Sequence, residues 1–328
     1  MNTIISFLFY SVRMGVPLLF GTTGEIVSEK SGSLNLGVEG LMSIGAIGGY
    51  YLGCVTNSFI LGLLGAFLSA ALGGLIYAFL TITFQANQNV TGLTLTIFGV
   101  GVYEFIGRSL TASGKFPKME ASSQMMFMKS DVGIPYLRDI PYIGKLLFSY
   151  NIMVYISVAL AILLWIYISK TKKGLKLRAT GENYGAADAC GVNVTMYRYI
   201  HTVCGAGISG LGGLYLAVVI NGGSWNESWI NGMGWIAVAL VIFAKWNTVM
   251  AIMGSFLFGA LTVLQSWNGN LKDEFPSLLG WVDMIPNEFY QMLPFVITVV
   301  VLIVSSITDK GKGEQPTCCG INYYREER

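Results

Sequence analysis

Charge is what this sequence has least of: Asp, Glu, Lys and Arg make up 12% of its 328 residues, about half of the roughly 25% usual in a soluble domain. A chain this poor in charge cannot cover a water-facing surface. Histidine occurs once, at His201, which excludes His-rich metal chemistry. The five cysteines are scattered apart from Cys318 and Cys319, and give neither a disulfide framework nor a zinc spacing. A net charge of +2 is too small to point to nucleic acid. Nor is there a phosphate-binding loop: Gly114-Lys115 has no Gly six residues before the Lys and no Ser or Thr after it. Catalytic, cofactor-binding and metal-ligating residues are therefore not expected, and any ATP hydrolysis would belong to another chain.

What the sequence has instead is apolar length. Hydrophobic residues reach 53%, in runs at Ile4–Phe20, Leu41–Leu52, Phe59–Thr81, Val90–Ile106, Tyr150–Ser169, Tyr199–Ile220, Thr248–Gln265 and Phe289–Ile307. The reading is an all-α polytopic membrane protein of roughly 8–10 transmembrane segments, with one membrane domain over 1–308 and a polar cytoplasmic tail over 309–328. Ile4–Phe20 carries Arg13 and no A-x-A-type cleavage site, so it is expected to be a retained span. The turns Cys54–Ser58 and Thr83–Asn89 are short enough to force antiparallel neighbours. Glycines and other small residues in Phe59–Thr81 and Tyr199–Ile220 suit close helix packing.

The stretch 170–198, KTKKGLKLRATGENYGAADACGVNVTMYR, fixes the orientation. Its first nine residues carry Lys170, Lys172, Lys173, Lys176 and Arg178 and no acid, and such loops stay in the cytoplasm. The loops 107–149 and 266–287 then lie outside. Between Gly181 and Gly191 the residues Glu182, Ala186, Ala187, Asp188 and Ala189 predict a short helix with Glu182 near the positive end of its dipole. Two readings compete for it: a docking element, or an amphipathic linker on the membrane surface.

Polar residues within apolar surroundings mark the other candidates. The segment 21–40, GTTGEIVSEKSGSLNLGVEG, is either broken backbone packed at membrane depth or a plain cytoplasmic loop in which Asn35 and Glu39 cap the next span. On the far side, 221–234 (NGGSWNESWINGMG) brings Trp225, Asn226 and Trp229 to an interface or a wet vestibule. Asn35, Glu39, Trp225, Asn226 and Trp229 are the candidate translocation path. Trp235–Ala244 is too short to span alone and either extends backwards or re-enters. Glu104 is expected to pair with Arg108 at i+4, and His201 to be a packed, hydrogen-bonded interface residue. A faint repeat aligns 57–72 with 247–261, preceded by Glu39-Gly-Leu-Met and Asn231-Gly-Met-Gly, in opposite directions as in inverted-repeat transporters.

Four blocks, GEIVSEKSGSLNLGVEGLMSIGA (24–46), VTGLTLTIFG (90–99), IPYLRDIPYIGKLLF (134–148) and GLKLRATGENYGAADACGVNV (174–194), resemble the permease subunits of bacterial nucleoside-type ABC importers. These belong to the wider ribose and branched-chain amino acid permease group. Tyr184 and Gly185 depart from the pattern, standing where many members have Pro and an acid. The resemblance implies a multi-pass protein of the bacterial cytoplasmic membrane, taking up nucleosides or, alternatively, simple sugars. Its implied partners are an ABC ATPase subunit with two cassettes, a second homologous permease, an extracellular substrate-binding lipoprotein and membrane lipid. The helix after Gly181 becomes the coupling helix, with Arg178 and Gly181 setting its start and Gly191 its end. An ion-coupled secondary transporter would also show broken helices but would not need that docking patch.

Overall fold

The computed structural model describes residues 2–131, 133, 138, 140, 143–224, 226–274, 287–308 and 315–324. Among these the chain is helical: α1 (Asn2–Glu29), α2 (Val38–Thr56), α3 (Phe59–Ala78), α4 (Gln88–Ala112), α5 (Ser123–Lys129), α6 (Ile143–Leu147), α7 (Ile152–Lys170), α8 (Lys172–Glu182), α9 (Tyr184–Ala189), α10 (Val194–Tyr215), α11 (Met233–Phe243), α12 (Thr248–Glu274) and α13 (Asn287–Thr308). Single π turns continue α3 through Phe79–Thr83 and α10 through Leu216–Ile220. Six helices are long and apolar enough to cross a membrane: α1, α2, α3 with its π turn, α4, α7, and α10 with its π turn. With α11, the apolar part of α12 and α13, the architecture falls within the expected range. Side chains at the breaks start the helices. Ser58, Asn87, Asn151, Thr171, Asn183 and Asn193 each accept a hydrogen bond from a backbone N–H three residues on, worth about 1 kcal/mol apiece.

The 21–40 segment divides differently from either expectation. Its first nine residues are helical and extend α1 to Glu29, while the irregular backbone is confined to 30–37 and is largely buried. This stretch runs into the molecule beside α3 and α4. The Tyr77 hydroxyl donates to the Leu34 carbonyl, the Leu36 backbone lies against Gly92 and Gly40 lies against Gly99. From Gln88 to the Leu95–Gly99 level is about 10–16 Å along α4 at 1.5 Å per residue, so α2 begins well inside. Irregular backbone packed in protein is thus what 30–37 show, with partners such as Gln88 for Leu34 N and Glu25 for Asn35 N, whereas 21–29 are regular helix.

The same arrangement recurs after α10. The irregular 221–232 folds back inward and α11 begins at Met233, beside the start of α2. A Cβ on Gly234 would lie 2.4 Å from the Cα of Glu39. Trp235–Ala244 does not span alone: α11 reaches back only to Met233, and the inward-folding stretch before it supplies the rest of the path to the turn at Lys245 and Trp246, where the Trp246 indole meets Glu29 at the end of α1. Each half thus runs as a long helix, an inward-folding irregular stretch, a shorter helix, a left-handed turn (Asn57; Lys245 and Trp246) and another long helix. That is the faint repeat of the sequence, now with a structural counterpart.

Glycine makes the crossings possible. A Cβ on Gly40 would sit 2.4 Å from the Leu95 carbonyl oxygen, and one on Gly213 only 1.9 Å from that of Met42. Backbones approach this closely only where a glycine leaves the space of a side chain empty on one helix. The loop expected over 107–149 is partly helical, since α4 runs on to Ala112 and α5 and α6 follow. Likewise α12 continues to Glu274, and 275–286 lie outside the described residues.

Candidate functional site

The element that carries the coupling expectation is a helix–break–helix rather than one short helix in a loop. Thr171 caps α8, which takes in the basic cluster and runs through Gly181 to Glu182. Glu182 therefore ends α8 instead of sitting at the positive end of the next dipole. Its Oε2 accepts from the Thr317 hydroxyl at 3.0 Å. Asn183, extended, breaks the helix, and its Oδ1 caps α9 by accepting from Ala186 N at 2.9 Å. Gly191, at φ +78°, closes the element. At 100° per residue the three alanines cannot share a face. Ala187 points inward, 2% exposed, with Tyr184, Val192 and Val194, whereas Gly185, Ala186, Ala189 and Cys190 point out. Asp188 is half-buried and Arg178 exposed. The outward face is small and apolar, and Ala187 is not part of it.

A buried polar cluster behind this element had no counterpart in the sequence reading. Arg198 of α10 is 1% exposed, with its guanidinium 5.1 Å over the Tyr184 ring and its Nε donating to Ser33 Oγ at 3.4 Å. The Tyr184 hydroxyl reaches the carbonyl oxygens of Gly32 at 2.9 Å and Cys318 at 3.1 Å. The tail 315–324 closes the arrangement: Cys318 N donates to Gly181 O at 2.8 Å, and Gln88 Nε2 donates to Ile321 O at 3.2 Å. Gly181 is held against the Lys30 carbonyl, where a Cβ would come within 2.5 Å. One set of contacts thus ties the α8–α9 junction to the 30–37 stretch and to the start of α4. Burial pushes the Tyr184 hydroxyl and the Cys319 thiol well above their ordinary pKa, and pulls the Lys30 ammonium down, with Glu182 partly offsetting the last. The available signal was the single Arg among the apolar residues of α10, 14 positions after Tyr184. Its depth was not readable without the tail's position.

Deeper in, the second group of candidates comes apart into different roles. Asn35 is buried, its backbone N–H donating to Glu25 Oε1 at 2.9 Å and its Oδ1 accepting from Gly37 N at 2.9 Å. Glu39 does not cap its own helix. Its two oxygens accept from Gly232 N at 2.8 Å and Gly234 N at 2.7 Å, so it caps α11 across the bundle. The N-termini of α2 and α11 converge on that carboxyl group, an arrangement that concentrates positive dipole ends at one point. Trp229 is 1% exposed, its indole N–H donating to Ser224 O at 2.7 Å and its ring packed on Tyr50, Tyr103 and Phe116. It serves as packing beneath the ends of α2, α4 and α10. Asn226 is exposed, and its backbone oxygen accepts from the Tyr103 hydroxyl. Trp225 lies outside the described residues. Glu104 and Arg108 pair at 3.2 Å as expected, and Arg108 also reaches Glu227 at 3.0 Å. His201 is the packed residue anticipated: Nδ1 donates to Tyr197 O at 2.7 Å and Nε2 accepts from the Tyr167 hydroxyl at 2.9 Å. No group of three His, Cys, Asp or Glu placed to hold a metal occurs among the described residues.

The helix ends thus converge at Glu39 within the bundle, and the small-residue face of α9 lies on its surface. Residues 7–302 match the family described as branched-chain amino acid transport system / permease component. The nucleoside ABC transporter permease protein NupC of Lactococcus lactis is 32% identical over 95% of this chain and 94% of its own length. The guanosine ABC transporter permease protein NupQ of Bacillus subtilis is 33% identical over 95% and 94%. The putative glucose ABC transporter permease protein TsgC13 of Haloferax volcanii is 32% identical over 96% of both chains. No solved structure matches. With nearly its whole membrane-embedded length accounted for, the chain belongs to the branched-chain amino acid transport system permease family and is the permease component of an ABC transporter.

Proposed function

We propose that this permease takes up nucleosides, driven by a separate ATPase subunit with two cassettes that docks on α8–α9. A second homologous permease would complete the membrane unit, and an extracellular binding lipoprotein would deliver the substrate. The basic α8 and the tail lie in the cytoplasm and 107–149 outside, in the bacterial inner membrane; five cations without an acid over 170–178 support this orientation. The observation that carries the docking reading is the outward face of α9. Gly185, Ala186 and Ala189 are exposed, and small enough to enter a cleft, while the opposite side is tied through Tyr184 and the tail to the 30–37 stretch. Cassette closure that shifts α9 would act on 30–37, and so on the α2–α11 meeting point at Glu39. The permease does no chemistry in this scheme; it changes access.

Nucleoside is favoured by two relatives named for nucleoside or guanosine transport. Simple sugar is the second reading, favoured by the glucose permease of equal identity. The test is uptake by the reconstituted transporter of labelled guanosine and of glucose, with wild-type chain and Ala186→Arg. Guanosine uptake that Ala186→Arg abolishes, with assembly of the membrane unit intact, is the expected result. Glucose uptake without guanosine uptake would move the substrate to the sugar class, and fully coupled transport by Ala186→Arg would remove α9 from the ATPase interface.

A further inference from the structure

The end of the bundle opposite α8–α9 is covered by the chain itself. Residues 116–131, which follow α4, form a 3-10 turn at Met119–Ala121 and then α5, packed on α3 and on the π turn that ends α10. The apolar side of this segment faces the bundle. Met119, Met125 and Met128 are buried, and the Phe116 ring stacks on Tyr50 of α2 at 5.3 Å. Glycines supply the notches that the methionines enter: a Cβ on Gly53 would lie 2.6 Å from Met125 Sδ, and one on Gly223 would lie 2.9 Å from Met119 Cβ. Glu120, Ser123 and Gln124 are exposed on the other side.

Polar contacts fasten the segment along its length. Asp131 pairs with Arg13 of α1 at 3.1 Å, the Ser122 hydroxyl donates to Asn57 Oδ1 at 2.9 Å, and Gln124 Oε1 accepts from Phe59 N at 2.9 Å. The Tyr50 hydroxyl reaches Pro117 O at 2.9 Å and Gly223 O at 2.7 Å, which joins the segment to the start of the inward fold 221–232 that leads to Glu39. These fastenings are separable ones. Thioether side chains repack readily, and the ion pair is partly exposed, its side chains 17% and 26% accessible. Glycines stand beyond both ends, Gly114 at φ +65° and Gly133 at φ +67°. A Cβ on Gly114 would meet nothing within 4 Å, so the backbone there is free to turn.

We propose that 116–131 is a lid, shut in this structure, that swings away from Tyr50 and Gly223 to admit substrate to the inward fold. The proposal rests on the orientation given above, which puts this segment outside. An importer receives its substrate on that side, and the inward fold begins beneath Met119 and the Tyr50 hydroxyl. A cover held by soft packing and single polar contacts can open without unfolding the helices under it.

The test uses the native Cys54, whose side chain lies beside the Tyr50 hydroxyl and is partly buried. In the assembled transporter retaining only Cys54, an impermeant maleimide should label right-side-out vesicles slowly. Asp131→Asn removes the ion pair and should speed labelling about fivefold. Adding Ser122→Ala should speed it further, while Glu104→Gln, an equal charge change within α4, leaves the rate unchanged. Rates in both lid variants equal to that of the parent would overturn the lid. Labelling of Cys54 in inside-out vesicles alone would overturn the orientation, and the lid's role as an outer gate with it. In a second arm, Arg13→Cys/Asp131→Cys in the cysteine-free chain is joined by a flexible bis-methanethiosulfonate. Uptake of whichever of guanosine and glucose the wild type carries should stop on cross-linking and return with dithiothreitol. Undiminished uptake with the segment joined to α1 would overturn the proposal, and the Cys54 rates decide alone if the Arg13 variant does not fold.

Discussion

Replacing Glu39 tests the meeting point of the two short helices. Its carboxyl oxygens accept from Gly232 N and Gly234 N at 2.8 and 2.7 Å, at a site 8% exposed. Glu39→Ala leaves both N–H groups buried without a partner, and each such orphan costs about 1–3 kcal/mol, so the loss should be about 2–6 kcal/mol. Losing the favourable interaction with the α11 dipole adds about 0.3–1 kcal/mol. Glu39→Gln keeps one acceptor oxygen and turns an NH2 towards the other donor, so about half that loss is expected, on the order of 1–3 kcal/mol. Thermal unfolding in detergent, read by size-exclusion of the fluorescently tagged permease, measures it. Glu104→Gln supplies the contrast: that carboxylate's side chain is 36% exposed and its Arg108 partner's 59%, and surface pairs contribute at most about 1 kcal/mol. The order Ala below Gln below wild type, with Glu104→Gln near wild type, is expected. Wild-type stability in Glu39→Ala would refute the cap.

Tyr184→Phe removes the hydroxyl shared by the Gly32 and Cys318 carbonyls and should cost about 0.5–1.5 kcal/mol. Limited proteolysis should then cut within 315–324 faster than in wild type, and an unchanged cleavage rate would free the tail from α9. Gly40→Ala places a methyl 2.4 Å from the Leu95 carbonyl oxygen, whereas Gly101→Ala, on the same pair of helices, meets nothing within 4 Å. The first should lower the unfolding temperature. The second should be neutral or stabilising by up to about 1 kcal/mol through helix propensity, and equal effects would mean that the α2–α4 crossing is not glycine-dependent.

The helices were legible because span length, apolar content and polar capping residues are local properties. The runs expected over Phe59–Thr81, Val90–Ile106 and Tyr150–Ser169 fall on α3, α4 and α7, each started by its own local cap at Ser58, Asn87 and Asn151. Glu104 with Arg108 was readable for the same reason, both partners lying one turn apart. What escaped depends on distant partners. Glu39 was readable either as a cap for its own helix or as a polar residue of the path, and only the inward fold after α10 brings Gly232 and Gly234 to it. Ala187 was grouped with Ala186 and Ala189 by composition, yet the break at Asn183 sets the phase of α9 and turns Ala187 inward. Arg198 has no sequence neighbour that explains its burial; its partners are Tyr184 and Ser33, and Tyr184 in turn donates to Cys318 in a tail more than a hundred residues further on.

The docking of α9 on an ATPase in the cytoplasm is the central claim, and a native residue offers its most direct test. Cys190, the C-cap of α9, is exposed, while Cys54, Cys204, Cys318 and Cys319 are each partly buried. In a variant retaining only Cys190, an impermeant maleimide should label inside-out vesicles and not right-side-out ones. Labelling should slow when the ATPase subunit is bound, while a cysteine placed at the exposed Lys172, with Cys190 and the other native cysteines removed, labels at an unchanged rate. Labelling of Cys190 from the outside, or a rate in the presence of bound ATPase equal to that in its absence, would contradict the account.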